Sequence, residues 1–133
     1  MGFLGTEQVL CHMVGDYLLQ SDWMATQKTS RSIPALAHVL TYVLPFLIIT
    51  QSIAALALIA GTHFVIDRWR LARFVVWAKN LIAPSASRTP PWSECTMTGY
   101  PPDRPAWLTV WLLIIADNIL HIAINAGVLY WLG

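Results

Sequence analysis

The sequence predicts an all-α protein, an integral-membrane four-helix bundle with a polar His/Asp layer in its core. Three observations lead there. The chain is 56% hydrophobic and 11% charged, against roughly 25% charged in ordinary soluble domains. Its apolar runs are separated by Pro- and Ser-rich loops. And three of the four histidines have an aspartate one helical turn away: His12 with Asp16, His63 with Asp67, and Asp117 with His121. The fourth, His38, opens an apolar stretch.

At 133 residues the chain reads as one domain. A first helix is expected over about residues 3–20, an apolar run interrupted by Thr6, Glu7, Gln8, His12 and Asp16. That run lacks a basic n-region and a small-residue cleavage site, so it does not read as a cleavable signal peptide. A polar loop follows, Gln20 to Ser32. The second helix covers about 34–49, with Ser32 as cap, Pro34 in the first turn and Pro45 as a kink. Thr50, Gln51 and Ser52 form a tight turn. The third helix covers about 53–82, because Leu71, Phe74, Val75, Ala78, Leu81 and Ile82 keep helical period. The segment 84–104 is proline-rich and reads as an irregular loop. The last helix covers about 105–132, long enough at ~1.5 Å per residue to cross a ~30 Å hydrocarbon core.

All eight basic residues lie in two loop regions or the adjoining end of the third helix: Lys28, Arg31, Arg68, Arg70, Arg73, Lys79, Arg88 and Arg104. The positive-inside rule then puts both long loops in the cytoplasm and both termini outside. Trp23, Trp69, Trp77, Trp92 and Trp107 fall on the basic side and Tyr130 and Trp131 near the other, as in aromatic belts. The expected location is a multi-pass protein of the bacterial inner (cytoplasmic) membrane. The net charge of +1 gives no case for nucleic acid. Cys11 reads as core and Cys95 as a loop residue, without metal-type spacing.

Chance placement of an Asp four residues from a given His is about 8% for this composition, so three hits in four is on the order of one in 500. Residues at i and i+4 share a helix face. With the topology above, each His sits nine to eleven residues from the outer end of its helix, a common depth of ~15 Å. Asp16, Asp67 and Asp117 fall one turn deeper. A layer of four imidazoles over three carboxylates inside apolar helices reads as a metal site. The ligand set is His12, Asp16, His38, His63, Asp67, Asp117 and His121. Imidazole with carboxylate suits a divalent transition metal, Zn²⁺ first, with Mn²⁺ or Fe²⁺ as alternatives. One ion with orienting carboxylates and two bridged ions both remain open. The alternative for each pair is a private hydrogen bond between helices. Asp16, Asp67 and Asp117 are the candidate catalytic groups, as general base or bridging ligand. Arg68 and Arg70 are candidate substrate-binding groups for a phosphate, with anionic-lipid anchoring as their plainer role. Tyr42 and Asn125, one turn from His38 and His121, are candidate partners of the layer.

The motif His12-x3-Asp16-Tyr17-x-Leu19-Gln20-Ser21, then Lys28, His38 and His63-x3-Asp67, closing with Asp117-x3-His121, resembles the domain-of-unknown-function family 3307. That family comprises small membrane proteins of bacteria and phages. The resemblance spans roughly residues 8–125; Arg70 stands where a Lys is common, and the loop from Ser85 to Arg104 is atypical. The family has no established function. More distantly, the pattern is similar to bacterial membrane-bound metal-dependent hydrolases, and through them to all-helical zinc phospholipases. The functional expectation is therefore a metal-dependent membrane hydrolase of a lipid-borne ester or phosphoester, with membrane lipids and an amphiphilic substrate as partners. The alternatives are a metal or proton transport or sensing protein, and a phage-type membrane effector with a structural metal. A haem protein fits less well, since haem ligation needs no acidic partner at i+4. A homo-oligomer is compatible with the sequence but not specified by it.

The topology is testable. A membrane-impermeant thiol reagent applied from the periplasmic side should leave Cys95 unlabelled; ready labelling there would reverse the orientation.

Overall fold

The computed structural model describes residues 5–85 and 88–133. The expected start of the first helix at residue 3, and residues 86 and 87 of the expected loop, lie outside the described residues. The protein is all-helical, with no strand among the described residues. It divides into two compact units: the chain up to Arg70 together with His121–Gly133, and Leu71–Leu120.

In the first unit, α1 covers Thr6–Met13, with Glu7 in its first turn where the helix dipole favours an acid. It passes directly into a π turn, Val14–Leu18. Such turns are rare and cluster at functional positions; this one contains Asp16. The polar loop holds a short helix not foreseen from the sequence, α2, Asp22–Gln27. Ser21 caps it, accepting from the Met24 N–H at 3.4 Å. An N-cap serine satisfies a donor that the first turn leaves open. Helix α3, Ser32–Tyr42, starts with buried Pro34 and gives way to a 3₁₀ segment, Leu44–Ile48, that contains Pro45. Proline has no N–H for a carbonyl one turn back, and the residue before it avoids the α region. At Pro45, where a kink is expected, the helix changes from α to 3₁₀.

Helix α4 covers Ile53–Trp69. Ser52 caps its start, accepting from the Ala55 N–H at 3.3 Å. The helix expected to run unbroken over 53–82 stops at Arg70, which adopts the left-handed conformation with φ 53°. Glycine or asparagine usually holds that position, so the break leaves no mark in the sequence pattern. Arg70 accepts a conformation that costs a non-glycine residue about 1 kcal/mol or more.

The core of the first unit joins Cys11, Tyr42, Phe46 and Ile59, with Val43, Ile49, Leu56, Val128 and Leu129 packed on it. Cys11 donates its thiol to the Pro45 carbonyl at 3.3 Å. Gly15 permits the close approach of the π turn to α3. A Cβ there would lie 2.5 Å from Tyr42 Cδ2 and 3.0 Å from the Tyr42 carbonyl oxygen.

In the second unit, α5 covers Ala72–Lys79 and runs into a 3₁₀ turn, Asn80–Ile82. The segment expected to be irregular is anchored on α5. The Phe74 and Trp92 rings stack at 4.5 Å, and Trp77 Nε1 donates to the Pro90 carbonyl at 3.1 Å. Gly99, with φ 83°, packs on the Arg73 carbonyl. Helix α6, Ala106–Leu132, has 27 residues. Among the described residues it is the one helix long and apolar enough to cross a membrane. Ser32–Ile48 is a shorter apolar helical stretch, and α4, at 17 residues, sits at the lower edge of the spanning range of ~17–25.

Gly15→Ala should destabilise the protein by about 1–3 kcal/mol, the usual cost of overpacking a tight contact. Denaturant unfolding in detergent checks this; an unchanged midpoint would mean the π turn has room to move off Tyr42.

Candidate metal centre

Six of the seven residues expected in the polar layer come together in the first unit. His12, His38, His63 and His121 are buried, as are Asp16 and Asp67. Four ligand atoms converge. His38 Nε2 lies 3.0 Å from His63 Nε2, 3.1 Å from Asp16 Oδ1 and 3.3 Å from Asp67 Oδ2. His63 Nε2 lies 3.2 Å from Asp16 Oδ1 and 3.1 Å from Asp67 Oδ2. The group of Asp16, His38, His63 and Asp67 can hold a metal ion. It draws one side chain each from the π turn and α3, and two from α4.

The pairing differs from the sequence expectation in one respect. His63 and Asp67 do meet along their own helix. Asp16 reaches beyond its i+4 partner: Oδ2 lies 3.6 Å from His12 Nδ1, while Oδ1 crosses to His38 and His63. Asp67 is used from both sides as well, with Oδ1 3.7 Å from His121 Nε2. Each carboxylate thus gives one oxygen to the four-atom cluster and turns the other toward a further imidazole.

One protonated Nε2 donating to a bare one makes an ordinary hydrogen bond at 3.0 Å, but two neutral rings bring only one proton each to a cluster that also holds two carboxylate acceptors. An imidazole nitrogen is either a donor or an acceptor. Two protonated Nε2 atoms at 3.0 Å would oppose their protons. A bare Nε2 would aim its lone pair at carboxylate oxygens, which are also acceptors. A cation at the point of convergence removes the conflict. The donor set fits a divalent transition metal.

The rings are oriented by packing. The Nδ1 atoms of His38 and His63 are buried without a hydrogen-bond partner among the described residues, whereas metal-binding histidines commonly fix themselves through that atom. Here the Tyr42 ring stacks on His63 at 3.7 Å with an interplanar angle of 23°. His63 also lies against His121, centroids 4.2 Å apart, and His121 stacks on His12 at 5.7 Å. Tyr42 Oη accepts from Asn125 Nδ2 at 2.7 Å and lies 2.9 Å from His12 Nδ1. One phenol therefore ties α1 and the end of α6 to α3, as anticipated for a partner of the layer. Gln8, one turn before His12, is buried with neither amide atom hydrogen-bonded among the described residues.

Asp117 lies half-buried on α6, one turn before His121. Arg68 is engaged away from the cluster. Its Nη1 donates to the Thr29 carbonyl at 2.8 Å, and its guanidinium lies 5.8 Å from the Trp69 ring centroid. Arg70 ends α4. Among the described residues, neither arginine forms an ion pair with a carboxylate of the cluster. The cation that does is Lys28, with Nζ 2.6 Å from Asp67 Oδ2 and 3.4 Å from His38 Nε2. The sequence offered Lys28 only as part of a motif and of the basic side of the chain. Nothing in its spacing tied it to a helix face, because the loop that carries it has no readable period.

The family profile described as protein of unknown function (DUF3307) matches residues 4–131. The chain belongs to the DUF3307 family. No curated protein and no solved structure matches it. Membership therefore brings no assigned activity with it, and this DUF3307 chain has to be read from its own side chains.

Tyr42→Phe should keep the stack on His63 but remove the acceptor of a buried Asn125 donor. A loss of about 1–3 kcal/mol is expected, with metal content unchanged. Tyr42→Leu, which removes the stack, should lower metal affinity in equilibrium dialysis. Equal metal affinity in both variants would show that the ring does not orient His63.

Proposed function

We propose that this chain is a multi-pass protein of the bacterial inner membrane built around a divalent metal centre, and that the centre hydrolyses a lipid-borne ester or phosphoester. The observation that carries the metal reading is the set of separations among four ligand atoms. Five of their six distances lie between 3.0 and 3.3 Å. The edge of a tetrahedron whose corners lie ~2.0 Å from its centre is ~3.3 Å, and zinc binds imidazole and carboxylate at about that distance. Asp16, His38, His63 and Asp67 would hold the ion. When bound, it would supply Lewis acidity and a water acidified toward neutral pH.

The membrane reading rests on α6 and on the distribution of apolar surface. Leu10, Leu18, Ile33, Ile48, Ile53, Ile82, Ile119 and Trp131 are each more than 60% exposed, while the largest fully buried side chains include all four histidines and Asn125. So many exposed large apolar side chains favour a lipid phase around them, and buried ionisable groups inside apolar helices mark function by default. A lipid-facing exterior around a polar centre also favours an amphiphilic substrate.

A second reading has one observation in its favour. Four protein donors fill a tetrahedral shell, as in closed structural sites. On that reading the ion would tie α1, α3 and α4 together in a membrane effector or sensor.

Metal analysis decides the first question. Detergent-purified protein should carry ~1 equivalent of a transition metal, as a single tetrahedral site requires. His63→Gln and Asp67→Asn should carry less than about a tenth of that while retaining helical circular dichroism. Wild-type protein with no metal, before or after reconstitution, sinks the reading. Turnover decides the second. Metal-replete protein should cleave a phospholipid or lipid-linked ester, and stripping the metal with a chelator should abolish that turnover until metal is restored. A metal-loaded protein that cleaves none would leave the structural reading in its place.

A further inference from the structure

Two cations lay claim to the same atoms. His38 Nε2 is one of the four ligand atoms that converge, and it lies 3.4 Å from Lys28 Nζ. Asp67 Oδ2 is another, and it lies 2.6 Å from the same ammonium. A ring nitrogen without its proton has one lone pair, which an ammonium and a metal ion cannot both take. The separations sharpen the conflict. Asp67 Oδ2 and His38 Nε2 are 3.3 Å apart, so Nζ straddles one edge of the four-atom cluster. An ion ~2.0 Å from both atoms lies at most ~3.6 Å from Nζ on these separations. Two cations held that close, among side chains removed from water, repel one another.

The lysine is the member of the group that has somewhere to go. Its side chain is 17% exposed, against 0% for His38 and His63, 4% for Asp67 and 9% for Asp16. It ends α2, a helix with no buried residue. The main chain around it is fixed, since the Lys28 N–H donates to the Met24 carbonyl at 2.9 Å and Arg68 Nη1 donates to the Thr29 carbonyl at 2.8 Å. The movable part is the four-carbon stem, which is flexible in lysine.

We propose that Lys28 is a tethered cation that trades places with the metal. Loading the site drives its ammonium off His38 and Asp67 toward the exposed side, and loss of the ion brings it back. This rests on the metal reading above and adds the regulation of that same site. A buried carboxylate stripped of its partner is strongly destabilising, and Lys28 supplies Asp67 with one whenever the ion leaves. The same contact weakens metal binding, because every incoming ion must displace a charged hydrogen bond. A site that carries its own replacement cation is suited to reversible loading.

The chain has two lysines, Lys28 and Lys79, so Lys79 serves as the internal reference. Full-length protein in detergent is treated with a water-soluble acetylating reagent, once with bound Zn²⁺ and once after chelation, and each lysine is followed by mass spectrometry. Relative to Lys79, Lys28 should react about tenfold faster or more with zinc bound, the release expected for one charged hydrogen bond. Competition with a chromophoric chelator gives a second readout. Lys28→Met should bind zinc about tenfold tighter or more than wild type, and Lys28→Arg, which keeps the charge, should not. If wild-type protein binds no zinc, the metal reading fails and this proposal with it. If zinc is bound but Lys28 reacts at the same rate or more slowly, the ammonium stays on the cluster and this proposal alone is overturned. Zinc affinity that is unchanged or weaker in Lys28→Met overturns it equally.

Discussion

The structure depends on the placement of Asp16 and Asp67 between two imidazoles that face each other. His38 and His63 bring their Nε2 atoms to 3.0 Å, and the carboxylates meet both rings from α4 and from the π turn. Removing one partner of a buried charged pair typically costs 3–5 kcal/mol, far more than any single apolar contact in this small first unit contributes. The elements around the cluster can be read as conditions for it. The π turn aims Asp16, Gly15 lets that turn close on Tyr42, and Tyr42 holds the face of His63.

The molecule's interior is unusually rich in polar side chains for one that also contains apolar residues. Its most deeply buried large side chains are four histidines, Tyr42 and Asn125 along with Phe46, Ile59 and Val76. Many of its leucines, isoleucines and tryptophans point outward. In water that arrangement would expose apolar area at ~25 cal/mol per Å² while paying to desolvate the interior. In lipid the outer term disappears, and buried polar groups that satisfy one another become the glue between helices. The apolar cluster of Cys11, Tyr42, Phe46 and Ile59 is small, so the buried histidines and aspartates carry much of the contact between α1, α3 and α4.

Much of this was legible in the sequence. Helical spacing picked out His12, Asp16, His63, Asp67 and His121, and the common depth of the histidines anticipated that His38 would join them. Prolines 34 and 45 marked the start and the tightening of α3. Three features had no local signal. Arg70 takes a conformation that glycine normally signals, so α4 and α5 read as one helix. The π turn has the same composition as an α-helical turn. Lys28 reaches the cluster from a loop, where no period relates a residue to a face. Arg68 donates to the Thr29 carbonyl, a main-chain partner that its charge and position in the sequence do not signal.

The distinction between local and cross-helix pairing matters most for what the cluster does. An i,i+4 pair on one helix adds a few tenths of a kcal/mol and joins nothing that the helix does not already join. His12 and Asp16 make such a pair at 3.6 Å. In the fold, Asp16 spends its shorter contacts on His38 and His63, and Asp67 spends one oxygen on His121 and the other on α3 and Lys28. Each aspartate therefore spans segments that are 22 to 54 residues apart in the chain. That spacing was written locally, because a helix turn is what places a carboxylate one step below an imidazole. It is read out across helices, because only there does a carboxylate meet two rings at once. Repeating the His-x3-Asp motif on separate helices is thus a way to build one four-atom site from short local instructions.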